Sequence, residues 1–310
     1  MGRAAVTFPD PVQMAIPVFI VAMIVEMFAI RSGAKGQYEW RDTATSLVMG
    51  LGNTFAAVIF GSTVVAIGVW LYQFKLFDIP VTWWSLALCL LGEDFTYYWF
   101  HRSAHRVRWF WASHVIHHSS QHYNLSTALR QTWTGFIAVS FIFRLPLFLI
   151  GFPPEMILFC GGVNLVYQFF IHTEVVGRLP WGLEYVLNTP SHHRAHHGTN
   201  ARYLDRNYGG MLIIFDRLFG TFEAERDDEP VRYGIIRNLA TFNPLWVGFH
   251  EWIAIGRDVV KAPGWRARWM AIAGPPGWAT GSTADAIRAS WEAEQGGSGT
   301  SPTAAAAPAE

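Results

Sequence analysis

Three stretches of the sequence decide the fold, and each is built around closely spaced histidines: EDFTYYWFHRSAH at residues 93–105, HVIHHSSQHYNLSTALRQ at residues 114–131 and NTPSHHRAHH at residues 188–197. The first stretch places His101 and His105 four residues apart, and the other two share an HxxHH spacing. Spacings of three and four residues bring side chains to one face of a helix. The three stretches therefore predict helices that each present histidines on one face.

Together the stretches supply eight candidate metal ligands. Adjacent histidines point about 100° apart on a helix, so one helix can serve two neighbouring ions. Eight imidazoles exceed the four ligands of a tetrahedral zinc ion, and burying them without partners would cost desolvation free energy. The sequence predicts a dinuclear site with neutral imidazole ligands, formed by His101, His105, His114, His117, His118, His193, His196 and His197.

Other polar residues near these stretches are weaker candidates. His172 ends an apolar segment and is a ninth candidate ligand, whereas His192 lies outside the HxxHH frame and its role stays open. Asp94 lies two helical turns before His101, where a carboxylate would orient a ligand imidazole. Asn207 would either donate a hydrogen bond near the metals or form a turn. A lining or surface role is predicted for His122, and an interfacial or packing role for His250.

Composition places these helices in a membrane protein. The 310 residues are 51% hydrophobic and only 15% charged, against about 25% charged in soluble domains. The net charge of zero argues against a nucleic-acid partner, and two cysteines inside apolar runs exclude a disulfide scaffold. Five spans are predicted, or four spans with a re-entrant pair, from the segments Val12–Ile30, Ala44–Phe74, Val81–Phe100, Trp133–Ile150 and Glu155–Ile171.

The predicted fold is an all-α integral membrane protein with four to five transmembrane helices and a helical cap that holds the metal site. Arginine and lysine concentrate in alternate loops, which places the histidines and the C-terminus in the cytoplasm. The predicted organisation is an N-terminal segment at 1–10, membrane helices at 11–171 with the first two histidine stretches at 101–118, a cytoplasmic cap with interfacial helices at 172–275, and a flexible tail at 276–310.

The location of the histidines favours iron among the metals that all-nitrogen sites accept. The first stretch continues directly from an apolar segment, which makes a lipid chain or ring the expected substrate. Oxidising an unactivated C–H bond needs an oxidant made from O2, which redox-inert zinc cannot supply. Two ferrous ions, with O2 as co-substrate, are therefore predicted, and no separate acid or base is assigned.

The three stretches, together with NYGGMLIIFDRLFGTF at 207–222, resemble the sterol desaturase and fatty acid hydroxylase superfamily. The HHSSxxYNLSTALRQ pattern is similar to the branch of C-5 sterol desaturase-like proteins and alkylglycerol monooxygenase. The resemblance covers residues 93–222 and implies a non-haem di-iron membrane enzyme whose ligands are the eight histidines. His172 matches a position that this branch often carries. No fused cytochrome b5 domain is visible, which implies a separate electron-transfer protein of the cytochrome b5 or ferredoxin type.

The predicted function is desaturation of a lipid, with a sterol as the first choice. The alternative is a lipid hydroxylase of the alkylglycerol monooxygenase or fatty-acyl type, since both outcomes share every step until a second hydrogen is lost or oxygen is added. A metal transporter or a structural metal protein is a remote alternative. A transport path needs polar ligands at the bilayer midplane, whereas these histidines begin where a span ends.

Overall fold

The computed structural model describes residues 8–297. Within this range the regular elements are helices, and β-type pairing is limited to three isolated bridges. The predominantly helical architecture predicted from the sequence is confirmed. The α-helices are α1 (Pro11–Arg31), α2 (Trp40–Tyr72), α3 (Trp83–Arg106), α4 (Arg108–His118), α5 (Leu145–Ile150), α6 (Pro154–Ile171), α7 (Trp181–Val186), α8 (Pro190–His196), α9 (Ile214–Leu218), α10 (Pro244–Lys261), α11 (Trp265–Ala273) and α12 (Ala284–Gly297). Short 3-10 helices lie at Leu125–Leu129, Ser140–Arg144 and Trp278–Thr280.

Three helices in the described range are long and apolar enough to cross a membrane, namely α1, α2 and α6. Large apolar side chains along α1 and α2 stay exposed, such as Phe28 at 67% and Val58 at 75%. Exposed apolar surface of this extent is typical of a lipid-facing helix. The 24-residue α3 is long enough to span, but acidic residues and histidines make its second half polar. A fourth crossing by α3 stays a prediction.

The predicted span Trp133–Ile150 is not one helix, and this prediction was wrong. Its second half consists of the 3-10 helix Ser140–Arg144 followed by the short helix α5. Val139 has a φ of 52°, a left-handed conformation that a β-branched residue rarely adopts and that interrupts a helix. Pro146 at the start of α5 cannot donate a backbone hydrogen bond to the preceding turn. Apolar composition alone does not report such interruptions.

The polar half of α3 is positioned by packing of its apolar half. α3 packs against α6 and α4, and Cys89 lies in a core with Leu147 and Met156. The turn between α5 and α6 depends on Gly151, whose φ is 116° and whose Cβ, if present, would lie 1.9 Å from the backbone oxygen of Phe77. Only glycine fits this close approach.

The C-terminal helices pack on the histidine-bearing side of the molecule. Trp252 of α10 donates a hydrogen bond to the Thr134 hydroxyl at 3.0 Å. Trp265 and Trp269 of α11 are 74% and 62% exposed, which is typical of tryptophans in a headgroup layer.

The predicted flexible tail from residue 276 needs correction. Residues 284–297 form α12, because Asp285 pairs with Arg106 at 2.6 Å and fastens the helix to the end of α3. The low-complexity part of the predicted tail, residues 298–310, lies outside the described residues, as do residues 1–7.

Candidate metal centre

Four chain segments bring histidines to one buried space. α3 ends and α4 begins around Val107, whose extended backbone (φ −124°, ψ 119°) turns the chain between the first two histidine stretches. The third stretch forms α8, which starts with a capping box at Thr189 and with Pro190 in its first turn. His172 is the C-terminal cap of α6. The local sequence thus determines where each histidine-bearing helix starts or stops.

The structure brings the eight predicted histidines together with His172 in two groups. Within each group the candidate ligand atoms lie within 4.8 Å of one another. Adjacent histidines of α4 and α8 fall into different groups, as their angular separation on a helix requires. The first group contains His101, His105, His114, His118 and His196. The second group contains His117, His172, His193 and His197.

Hydrogen bonds on the outer side of the rings aim their Nε2 atoms inward. The Nδ1–H groups of His101, His172 and His196 donate to the backbone oxygens of Tyr208 (2.9 Å), Gln168 (2.6 Å) and Arg206 (2.8 Å), respectively. A neutral imidazole with a protonated Nδ1 has an unprotonated Nε2. These three rings therefore present lone pairs to the centre of their groups, the arrangement that metal-binding histidines use.

The donor set fits metal cations. The Nε2 atoms of His101 and His114 lie 3.0 Å apart, and those of His193 and His172 also lie 3.0 Å apart. The buried Nε2 atoms of His105, His196 and His197 have no hydrogen-bond partner. Converging lone pairs and unpartnered nitrogens are costly when buried. A cation in each group would satisfy them.

Burial also keeps these ligands neutral. Burial lowers the pKa of five of these histidines below the usual value, namely His114, His117, His118, His193 and His197. The pKa falls to about 3 for His172 and to about 4 for His196, mainly because burial disfavours the charged ring. At neutral pH the rings are therefore in the form that binds metals.

Asp94 does not contact an imidazole, contrary to the expectation from its spacing. Its carboxylate accepts hydrogen bonds from the backbone N–H groups of Met211 and Leu212 at 2.7 and 2.9 Å, and from the Asn164 amide at 3.1 Å. It acts on the site indirectly, because it holds the loop that carries the acceptor for His101.

Asn207 performs the turn role that the sequence left open. Its φ is 58°, and its side-chain amide donates to the backbone oxygens of His192 and Glu223 at 3.0 and 2.7 Å. The Asn207 side chain thereby joins the third histidine stretch to the chain that follows it.

Two acidic residues near the first group were missed by the sequence analysis. Asp205 places Oδ1 3.5 Å from Nδ1 of His105, and Asp216 accepts the N–H groups of Tyr208 and Gly209, each at 2.7 Å. Burial raises the pKa of both carboxyl groups to about 6. Asp216 lies in the stretch at 207–222 and Asp205 two residues before it, but this position in the sequence does not reveal a partner.

The remaining histidines lie outside both groups. His192 directs Nε2 to the Glu184 carboxylate at 3.0 Å, so its ring points away from its neighbour's group. His250 bonds through Nδ1 to the backbone oxygen of Val247 at 3.0 Å. His122 is half-buried in the loop after α4.

A buried ion pair fixes the end of α4. Arg130 donates from Nη1 to Asp42 at 3.0 Å and from Nε to the Ser119 hydroxyl at 2.9 Å. The Ser120 hydroxyl donates to the other oxygen of Asp42 at 2.5 Å. Both serines directly follow His118. The Arg130–Asp42 ion pair therefore attaches the second histidine stretch to α2.

A cavity of about 570 Å³ reaches the histidines from the apolar side. Both groups contribute to its inner end, through His114 from the first group and through His117 and His172 from the second. Toward its outer end, lining residues such as Leu51 and Leu165 are 72% and 43% exposed. The cavity therefore opens between helices that are apolar enough to lie in a membrane.

A second cavity of about 390 Å³ reaches the histidines from another side. It is lined by polar residues of α10, among them Glu251, Arg257 and Asp258, and by the chain between α11 and α12. It touches His105, His118, His196 and His197, none of which lines the first cavity.

Comparison with known proteins shows which family the histidine-bearing part of the chain resembles. Residues 86–221 match the family model described as fatty acid hydroxylase. This part of the chain is therefore similar to the fatty acid hydroxylase family, in line with the resemblance seen in the sequence. No solved structure matches it.

The curated relatives place the chain near one branch of this superfamily. It is 42% identical to alkylglycerol monooxygenase of Homo sapiens over 281 residues, which cover 88% of this chain and 61% of that protein. It is 38% identical to alkylglycerol monooxygenase of Caenorhabditis elegans over 281 residues, covering 85% of this chain and 54% of the relative. Ornithine lipid hydroxylase OlsE of Rhizobium tropici is 29% identical over 156 residues, covering 50% of this chain and 47% of that protein.

These findings confirm the resemblance to the alkylglycerol monooxygenase-like branch. The chain spans 61% of the length of the Homo sapiens relative and 54% of the length of the Caenorhabditis elegans relative. The matches favour the alternative prediction, a lipid hydroxylase, over the first choice of a sterol desaturase.

Proposed function

We propose that this protein is a membrane-bound, O2-dependent di-iron lipid hydroxylase whose substrate is an ether lipid of the alkylglycerol class. One observation carries the proposal: two groups of buried, neutral histidines line the inner end of an apolar cavity that opens between membrane helices. The names of the relatives support the hydroxylase chemistry and the alkylglycerol class.

The donor set supports two redox-active metal ions better than structural zinc. Five nitrogens in the first group exceed the four ligands that structural zinc takes. When bound, two iron ions would supply reductive activation of O2 and insertion of one oxygen atom into a substrate C–H bond. The nine histidines would hold these ions, with backbone carbonyls fixing the ring orientation of at least three of them.

The cavity walls position the lipid and limit water. Apolar residues of α1, α2 and α6, among them Phe19 and Phe169, surround the path from the outer mouth to the histidines. An alkyl chain entering from the bilayer would lie against this surface and bring one C–H bond to the inner end. Hydroxylation rather than desaturation requires that the substrate stay close enough to receive oxygen before a second hydrogen is lost.

Electrons would come from a separate protein of the cytochrome b5 or ferredoxin type. The second cavity supports this, because it reaches four histidines without crossing the lipid path. The distribution of basic residues over the loops supports a cytoplasmic location for this side. The lipid and the reductant would then approach the metals from different directions.

The proposal is tested by anaerobic purification, metal quantification and turnover. We expect roughly two iron ions per chain, O2 uptake that depends on reductant and on alkylglycerol, and a product that has gained one oxygen atom by mass spectrometry. A product that has lost two hydrogens would instead establish a desaturase. Zinc alone, with no O2 uptake after reconstitution with iron, would contradict the enzyme assignment.

A further inference from the structure

The membrane helix α2 carries an asparagine that the proposed mechanism does not use. Asn53 is the one amide side chain in this span and lines the first cavity. Among the described residues its side-chain amide has no hydrogen-bond partner. Leaving an amide unpaired in an apolar environment costs free energy, and polar residues inside spans are usually functional.

Close helix packing brings this amide beside the loop that follows the second histidine stretch. A Cβ on Gly50 would lie 2.8 Å from the backbone oxygen of Leu129, so glycine allows α2 to approach that loop. Gln131 of the same loop also lines the cavity, and its amide nitrogen donates to the Ala128 oxygen at 2.7 Å. The Gln131 carbonyl oxygen remains available as an acceptor in the lining of the same cavity.

The lining carries no unpaired charge in the described part of the chain. Its one side chain that carries a permanent charge is Arg144, which pairs with Glu93 at 2.7 Å. A carboxylate or phosphate headgroup would bring an uncompensated charge into this space, at a high desolvation cost. An uncharged group that both donates and accepts hydrogen bonds matches the free amide.

We infer that the Asn53 amide binds a hydroxyl group of an uncharged lipid headgroup and so determines substrate specificity. This inference rests on the proposed function, because it assumes that the first cavity is the lipid site. The hydroxyl would donate its proton to the amide oxygen, a hydrogen bond that a methyl ether cannot make, and this bond would fix how far the lipid extends toward the histidines.

The test measures lipid binding without turnover. The full-length protein is purified anaerobically with its metal and titrated with a 1-O-alkylglycerol and with the same lipid methylated on both hydroxyls. We expect Asn53→Leu to weaken binding of the diol about 5- to 10-fold and to leave binding of the methylated lipid within about twofold. Asn53→Ala should repeat the result, which guards against a folding defect of one variant.

Thr63→Val is the matched control. Thr63 lies on the same helix, but its side chain is exposed and lines neither cavity. We expect its lipid affinities to equal those of the wild type.

Two results would overturn the inference: unchanged diol affinity in both Asn53 variants, or an equal loss of affinity for both lipids. The proposed function fails separately, if the wild-type protein consumes no O2 with any lipid. A hydroxyl-dependent loss of binding would support the inference even then.

Discussion

The two histidine groups are anchored in different ways. In the first group, His101 and His196 donate to backbone oxygens of the loop at 205–208, and His105 faces a carboxylate of the same loop. In the second group, His172 donates to a backbone oxygen four residues earlier in its own helix. The first group is thus oriented by a loop that folds back onto it, whereas the second includes a ring oriented by a helix end.

Because of this difference, the orientation of the imidazoles depends on different contacts in the two groups. The acceptor for His101 lies 107 residues away in the sequence, so its position relies on the contacts that hold the loop. Asp94 and Asp216 supply those contacts through four backbone N–H groups. We therefore expect the two groups to respond differently to changes in metal, ligand and loop.

Metal removal should have the largest effect. Stripping the protein with a chelator should abolish turnover and lower the melting temperature by about 10 °C or more, because ions that bind only the folded state stabilise it. The four-nitrogen group should release its ion before the five-nitrogen group. Iron content, activity and melting temperature are followed against chelator concentration.

Reconstitution provides the control. Fe2+ should restore both melting temperature and turnover, whereas Zn2+ should restore only the melting temperature because it has no redox chemistry. Release of both ions at a single midpoint would show that the groups do not bind independently.

Substitutions of two adjacent ligands should each affect a different histidine group. His117→Ala and His118→Ala remove one nitrogen from the second and the first group, respectively. Each should lower iron content toward one ion per chain and reduce turnover about 1,000-fold or more. The loss is this large because removing one member of a catalytic unit costs about as much activity as removing the whole unit. Metal analysis and product formation measure both effects.

His122→Ala is the control for these variants, because His122 belongs to the same segment but to neither group. It should retain both ions and full activity. Two ions and wild-type turnover in either ligand variant would contradict the assignment of that residue.

Disturbing the loop should affect the first group alone. Asp216→Asn replaces an acceptor of two backbone N–H groups by an amide that can satisfy fewer of them. We expect a 10- to 100-fold loss of activity, roughly as for other residues that orient metal ligands, with loss of iron from the first group only.

The exposed carboxylate of Asp227, which pairs with Arg178 at the surface, gives a matched control. Asp227→Asn should leave activity unchanged. Equal loss of both ions in the Asp216 variant would show that the loop supports the whole site rather than one group.

The sequence predicted what depends on short-range geometry. Helical spacing predicted which histidines of each stretch point the same way, because neighbours three and four residues apart share a face of the helix whatever the tertiary structure. It could not predict that Asp94 bonds to Met211 rather than to an imidazole, since that contact joins residues 117 apart. Nor could apolar composition reveal the break at Val139, which is a conformational feature of one residue.

His192 should give the smallest effect, and it shows the limit of spacing arguments most clearly. It is adjacent to His193 in the sequence, yet its ring bonds to Glu184 at 3.0 Å and takes part in the cap of α8, whereas His193 belongs to the second group. His192→Gln should keep both ions and turnover within about twofold while lowering stability by about 1 kcal/mol, the worth of one hydrogen bond. The matched variant His193→Gln should lose iron from the second group. If the His192 variant loses iron instead, the assignment of His193 as the ligand and His192 as a cap residue is wrong. α8 would then have to present a different face to the metals.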